Sequence, residues 1–435
     1  MSRPRGVGTV AAPGEMIPAS EWIWSQIGSR EHYAIPRALC ARRTLRALLT
    51  DAWVRPGSGL GSVGPRRLRE RFHSELPSDR VCSWNLGIIW FELRCRAQGI
   101  AGWERTLRRN RWFQSRTVGW LERHSDSLPN SNPVVFAYSY AARDLFAVAR
   151  AAGFKTILGQ IDAGPVAEEL VGNLHRRWGP GGSNWWPAPS SYWQSWRQEC
   201  DLADCIVVNS QWSQRAIALA GVDEEKIEVV PLAYAASSAS RDFRRLYPPQ
   251  FTKARPLRVM FLGQVSLGKG IMEALGAFAR LQGQPVELQV VGPDMGEVPS
   301  TASFAPNIRW VGPVARSEAD RYYREADVFL FPTHSDGFGI TQLEAQAWKL
   351  PIIASRFCGE VVGHGRNGIV LDQVSAPHIA EAILGLIRAP ASLAEMSDQA
   401  VDMNAFSLSA IARRFIEIGA GLPPVKRKEK ALLCP

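Results

Sequence analysis

The second half of the chain alternates short, nearly continuous apolar runs with amphipathic stretches, and that alternation leaves few folds open. The runs are LRVMFLG (257–263), VELQVVG (286–292), IRWVG (308–312), DVFLFP (327–332), LPIIAS (350–355) and GIVL (368–371). Between them lie IMEALGAFARLQ (271–282), SEADRYYREA (317–326), GITQLEAQAWK (339–349) and APHIAEAILGLIRA (376–389), read as helices. A strand that is apolar on both faces must be covered on both faces, and strands joined through helices run parallel. The expectation is a doubly wound Rossmann-type sheet, which takes its ligand at the carboxyl ends of its strands.

The first half repeats the pattern less regularly. RALLTDAW (46–53), NPVVFAYS (132–139), FKTILGQID (154–162), CIVVNS (205–210) and KIEVVPLA (226–233) read as strands. HYAIPRALCARR (32–43), ARDLFAVARAAG (142–153) and SQWSQRAIALAG (210–221) read as helices. The polar, proline-bearing ASSASRDFRRLYPPQFTKARP (236–256) reads as a linker. Length agrees, since 435 residues allow two or three domains. The expected layout is a disordered lead-in (1–18), a first Rossmann-like domain (19–235), a linker (236–255) and a second such domain (256–405). A C-terminal helix (406–422) returning to the first domain and a basic tail (423–435) complete it.

No apolar run approaches the roughly 18–20 residues of a membrane-spanning helix. Pro13, Gly14 and Glu15 interrupt the one apolar candidate near the N-terminus, which argues against a secretory leader. The seven cysteines are scattered without a CxxC pair, so a disulfide framework or zinc site is not expected and a reduced cytoplasm is. The formal charge of +10, with clusters at 65–72, 104–116 and 426–430, suits anionic partners: a nucleotide phosphate, an acidic lipid surface or nucleic acid. No nucleic-acid-binding module is visible, and none is expected. GLGSVG (59–64) fits GxGxxG, but Pro56 and Pro65 flank it, so it does not lead straight from strand to helix and reads as a surface loop.

Two motifs carry chemistry. SDGFGITQLEAQAWKLPIIAS (335–355) runs turn, helix, strand, with Asp336 and Glu344 eight positions apart. Gly337 and Gly339 let the backbone approach a ligand, and the helix start that follows offers unpaired amides to an anion. Glu344 falls at the edge of the apolar stripe set by Ile340, Leu343, Ala347 and Leu350. A carboxylate there needs a donor-rich neutral partner, for which a pair of ribose hydroxyls is suited. Asp336 at the turn is placed for hydroxyls of a sugar beyond the phosphates. The second motif, FLGQVSLGKG (261–270), follows the domain's first strand, and Lys269 before Gly270 is placed to meet a diphosphate as a point charge.

Together these motifs resemble the donor domain of the retaining GT-B glycosyltransferases of family 4, whose signature is an acid, seven residues and a glutamate ahead of a short apolar strand. The resemblance covers about 226–390. It is looser in SQIGSREHYAIPRAL (25–39), like the family's glycine-containing first loop and helix, and in VVNSQWSQRAI (207–217). It implies the GT-B fold, two Rossmann-like domains facing across a cleft, with an acceptor in the first and a nucleoside-diphosphate sugar of UDP, GDP or ADP type in the second.

By that resemblance Glu344 reads ribose and Lys269 the diphosphate, with Asp336 as the third catalytic candidate. Gln264, Gly270, Gly337, Phe338, Gly339 and Ile340 complete the donor site. Acceptor-side candidates are Gly28, Arg30, His32, Gln160 and Asp162. The first acid is aspartate where the family usually has glutamate. Gln264 stands where many members have arginine, a gap that Arg30 is a candidate to fill. Gln160 and Asp162 stand where the family often has histidine, so no base is assigned.

The implied reaction is transfer of a hexose-type sugar, with retention, to a hydroxyl of a polysaccharide, lipid or small molecule, as in cell-envelope polysaccharide biosynthesis. No DxD motif occurs, so no cofactor and no metal are expected. The alternatives are another GT-B nucleotide-sugar enzyme such as a 2-epimerase, and a catalytically weakened nucleotide-sugar-binding module.

Fourteen of the sixteen tryptophans precede residue 213. Trp22, Trp24, Trp90, Trp112, Trp185, Trp186, Trp193 and Trp196 are expected to be mostly core. Some in GGSNWWPAPSSYWQSW (181–196) are candidates for stacking on an acceptor, and with nearby arginines for peripheral contact with an anionic membrane.

Overall fold

The computed structural model describes residues 20–58, 71–128, 133–178, 185–298 and 305–425. The glycine loop at 59–64, the lead-in and the KRKEK tail lie outside them. Two parallel sheets dominate. The first holds β1 (Trp22–Gln26), β2 (Leu45–Thr50), β3 (Val81–Ser83), β4 (Val134–Tyr138), β5 (Lys155–Gly159), β6 (Cys205–Val208) and β7 (Ile227–Val229), in the order β3-β2-β1-β4-β5-β6-β7. The second holds β8 (Leu257–Leu262), β9 (Val286–Val291), β10 (Ile308–Gly312), β11 (Val328–Phe331), β12 (Ile352–Ala354) and β13 (Gly368–Val370), in the order β10-β9-β8-β11-β12-β13. Every strand pair in both is parallel.

Around the first sheet lie α1 (Ala34–Ala41), α2 (Asn85–Ala97), α3 (Gly102–His124), α4 (Arg143–Ala151), α5 (Gly164–Trp178), α6 (Ser190–Leu202) and α7 (Gln211–Leu219). A single turn, α8 (Ser238–Arg241), starts the connection. Around the second sheet lie α9 (Ile271–Arg280), α10 (Arg316–Glu325), α11 (Thr341–Ala347), α12 (Ala376–Arg388) and α13 (Ala391–Asp398), followed by α14 (Leu408–Gly421).

All six second-half strands form where the apolar runs lie. The first half holds elements that the periodicity did not announce: β1, β3, α2, α3, α5 and α6. WIWSQ of β1 is buried at all five positions, including polar Ser25 and Gln26. Its indoles make it a strand: Trp24 stacks on Phe136 at 3.6 Å, and its Nε1–H donates to Gln26 Oε1 at 2.9 Å. The other edge of that cluster is Phe415 of α14, 5.5 Å from the Trp24 ring and 6.2 Å from Trp22. Lys155 Nζ also donates to the Gly419 carbonyl at 2.9 Å, so α14 packs on the first sheet although it follows the second.

The connection after β7 is not a free tether. Arg245 donates to the carbonyls of Trp348 (2.8 Å), Ala326 (2.5 Å) and Tyr323, capping the ends of α10 and α11, and Phe251 is buried in the second core. The expectation of mostly buried tryptophans is also too broad. Trp22, Trp24 and Trp196 are fully buried, but Trp90 is 72% and Trp186 74% exposed. The Trp186 carbonyl accepts from the Trp103 indole at 2.8 Å.

Candidate active site

Strand order in the second sheet reverses between β8 and β11, and a crevice opens where the connections leave such neighbours in opposite directions. The lysine loop follows β8 and the glycine turn follows β11, so both motifs meet at that switch point. Gly270, at φ +75°, turns the chain from the Leu267–Lys269 turn into α9. A Cβ there would lie 2.0 Å from the Pro332 carbonyl oxygen, so only glycine lets the two loops come together.

Lys269 and Asp336, 67 positions apart, form an ion pair. Both are partly buried, and the Lys269 ammonium also lies 5.8 Å from the Phe331 ring centre. The second Asp336 oxygen accepts the Phe338 amide at 3.1 Å, closing the turn on itself. That engages one of the amides expected to face a ligand, and the Phe338 ring is buried. Gly339 has φ +81° and a Cβ site 2.5 Å from the Phe331 ring. Ile340 is the N-cap residue of α11 and only partly buried, and Gln264 is exposed.

Glu344, one turn into α11, keeps one oxygen for the Tyr323 hydroxyl at 2.7 Å, while the other lies 3.8 Å from the Arg316 guanidinium. The neutral, donating partner is present as a side chain, joined by a cation that the spacing did not announce. Burial and the Glu344 carboxylate together push the Tyr323 phenol well above its ordinary pKa, so it stays a donor. Next to the ion pair, His334 Nε2 lies 3.2 Å from the buried Glu273 carboxylate. Neither residue was singled out from the sequence; a histidine directly before the turn motif was the available signal.

The first domain closes over the turn. Trp212 Nε1–H donates to Ser335 Oγ at 3.0 Å, Ser213 Oγ donates to the Gly337 carbonyl at 3.3 Å, and the Gln211 amide donates to Glu360 at 3.0 Å. A Cβ on Gly337 would stand 2.3 Å from the Ile161 carbonyl oxygen, so this glycine sets how closely the domains approach. The lysine turn meets α5 likewise, with the Gly268 Cβ site 3.4 Å from Val171.

On the facing side, the loop after β1 is bent through successive positive φ angles at Glu31, His32 and Tyr33. Arg30 sits 5.0 Å from the Tyr138 ring centre, and His32 contacts Arg316 across the domains. The Gly28 amide is already taken, by Asp51 at 2.9 Å. Gln160 and Asp162 belong to a closed network rather than to open surface. Tyr140 donates to Asp162 at 2.6 Å, Gln160 Nε2 donates to Asp162 at 3.1 Å, and the Trp196 indole donates to Gln160 at 2.9 Å. Burial raises the Asp162 pKa against the pull of those donors.

Glu31, in the bent loop after β1, has a raised pKa. Burial pushes it to about 6 despite Arg30 and a 3.2 Å bond from Tyr138. Only the strained loop reveals it. The structure therefore gathers Lys269, Asp336, Gly270 and Gly337 to Ile340 at one switch point, with Glu344 beside them. Arg30 and His32 face it across the cleft, while Gly28, Gln160 and Asp162 are engaged inside the first domain.

Comparison with known proteins agrees with this layout. D-inositol 3-phosphate glycosyltransferase 2 of Catenulispora acidiphila is 27% identical over 254 residues, 52% of this chain and 58% of that protein. The chain spans about half the length of the curated relatives it matches. The crystal structure of HepE from Anabaena, in complex with UDP and glucose, superposes with a TM-score of 0.59 at 16% identity, over 93% of this chain and 100% of that one. Sucrose-phosphate synthase from Thermosynechococcus elongatus gives 0.62 at 15% identity, over 93% and 99%. The fold is thus GT-B, and residues 256–389, which carry both motifs, match the family model of the glycosyl transferases group 1.

Proposed function

We propose that the chain is a glycosyltransferase that moves a hexose-type sugar, with retention, from a nucleoside-diphosphate sugar to an acceptor hydroxyl. The observation that carries this reading is the Lys269–Asp336 pair at the switch point, inside the segment that matches group 1 glycosyl transferases. A fixed cation and a glycine turn there suit a diphosphate with a sugar beyond it. The name of the inositol phosphate glycosyltransferase relative and the UDP bound by HepE support the same class of donor.

In this mechanism the Lys269 ammonium leaves Asp336 for the diphosphate and stabilises the negative charge that builds on it as the sugar departs. Asp336, released, accepts hydroxyls of the transferred sugar. Glu344 accepts both ribose hydroxyls, held in place by Tyr323. The reaction needs no metal in this reading, because side-chain cations and turn amides meet the leaving charge. Arg30, across the cleft, supplies the second cation where Gln264 carries none. The acceptor hydroxyl approaches from the first domain, and closure over the Gly337 turn excludes water in favour of transfer.

A thermal-shift screen against UDP, GDP, ADP and their sugars tests the reading, because a ligand of the folded state raises the melting temperature. One nucleotide series should stabilise the protein; no shift with any of them at millimolar concentration defeats the proposal. Incubation of a stabilising nucleotide sugar without acceptor separates transfer from epimerisation, since only an epimerase yields an epimeric sugar, whereas a transferase yields at most donor hydrolysis.

A further inference from the structure

Helix α2 presents an apolar stripe to solvent. Leu86, Trp90 and Leu93 are 71%, 72% and 53% exposed, and with Ala97 they recur at helical spacing along one face. The opposite face is satisfied: Ile88 and Cys95 are buried, and Phe91 packs on Trp112 of α3 at 5.9 Å. Arg94 and Arg96 project on either side of the stripe, and neither meets a carboxylate among the described residues. Glu92, the helix's own acid, is already paired with Arg105. From Asn85 to His124 the α2–α3 hairpin carries eight arginines against three glutamates and no aspartate or lysine.

We infer that this face of α2 is a peripheral docking surface for an anionic lipid bilayer. Large apolar side chains flanked by guanidiniums match the boundary between headgroups and acyl chains, where indole and leucine leave water while arginine stays with phosphate. A second copy of the chain fits poorly, because a twofold contact would set two arginine-rich faces against each other. Exposed Trp186, in the 181–196 segment, adjoins the hairpin through Trp103. None of this depends on the reaction proposed above.

The test is co-sedimentation of the full chain with vesicles of phosphatidylcholine alone and of equal parts phosphatidylcholine and phosphatidylglycerol. Binding should appear with the anionic vesicles and weaken as salt rises. Trp90→Ser with Leu93→Ser should lower the vesicle partition at least roughly tenfold, and Arg94→Glu with Arg96→Glu should remove the preference for anionic lipid. These side chains are exposed, so both variants should keep the wild-type circular dichroism and melting temperature. The inference is overturned if the wild type binds neither vesicle or if folded variants bind as it does. It is also overturned if light scattering shows a dimer that the Trp90→Ser, Leu93→Ser variant dissolves.

Discussion

Replacing Lys269 with alanine removes the cation that faces Asp336. The two side chains are 27% and 18% exposed, so the pair lies between two regimes. Exposed pairs contribute about 0–1 kcal/mol, and breaking a fully buried one costs about 3–5 kcal/mol. Asp336 keeps the Phe338 amide after the change and is not left wholly unpartnered. The expected loss of stability is therefore about 1–2 kcal/mol, which lowers the melting temperature by only a few degrees in a domain of this size.

The effect on a diphosphate ligand is larger, because a charge-assisted hydrogen bond contributes about 1.5–3 kcal/mol, or roughly 10- to 150-fold in affinity. Transfer should fall further, by about a thousandfold or more, since the ammonium acts where charge develops. The assay compares melting of wild type, Lys269→Ala and Lys269→Arg with and without each nucleoside diphosphate, then turnover of the matching sugar. The arginine variant should retain part of both signals. An alanine variant that melts within a few degrees of wild type, yet shows the full ligand shift or full turnover, refutes the reasoning.

Three further outcomes rest on the fold. Gly270→Ala places a methyl 2.0 Å from the Pro332 oxygen at φ +75°, so a loss of at least about 2–3 kcal/mol is expected in denaturant unfolding, and one under about 1 kcal/mol would contradict it. Phe415→Ala empties the ring site beside Trp22, Trp24 and Phe136 and should cost about 3–5 kcal/mol, read from first-domain tryptophan fluorescence. Burial pushes the Glu199 carboxyl to about 7 although it accepts the amides of Tyr140, Ala142 and Arg143. A folded-state pKa above the ordinary value favours folding most at low pH, and that contribution is lost as pH rises through about 7. The stability gap between wild type and Glu199→Gln should therefore shrink from about pH 5 to pH 8; a constant gap sinks the assignment.

Along the chain, some features announce themselves and others do not. A strand covered on both faces shows as an unbroken apolar run, so β8 to β13 and their parallel sense were legible, as was the glycine turn after β11. β1 was not: WIWSQ mixes polar residues with indoles whose ring partners lie on β4 and on α14, nearly 400 positions away. α3 reads locally as a basic cluster, because only Phe113, Gln114, Thr117 and Leu121 of its 23 residues are buried.

By itself the sequence determined the α/β alternation, the loops that carry the chemistry and the residue types in them. Tertiary structure decided which groups meet. Lys269 reaches Asp336 because strand order reverses between β8 and β11. Glu344 gains Tyr323 and Arg316 from α10, and Gln160 and Asp162 are drawn into a network with Tyr140 and Trp196. The physical reason is range: backbone periodicity and turn chemistry act over a few residues. A side chain's partner depends on how distant segments stack, and no local pattern encodes that.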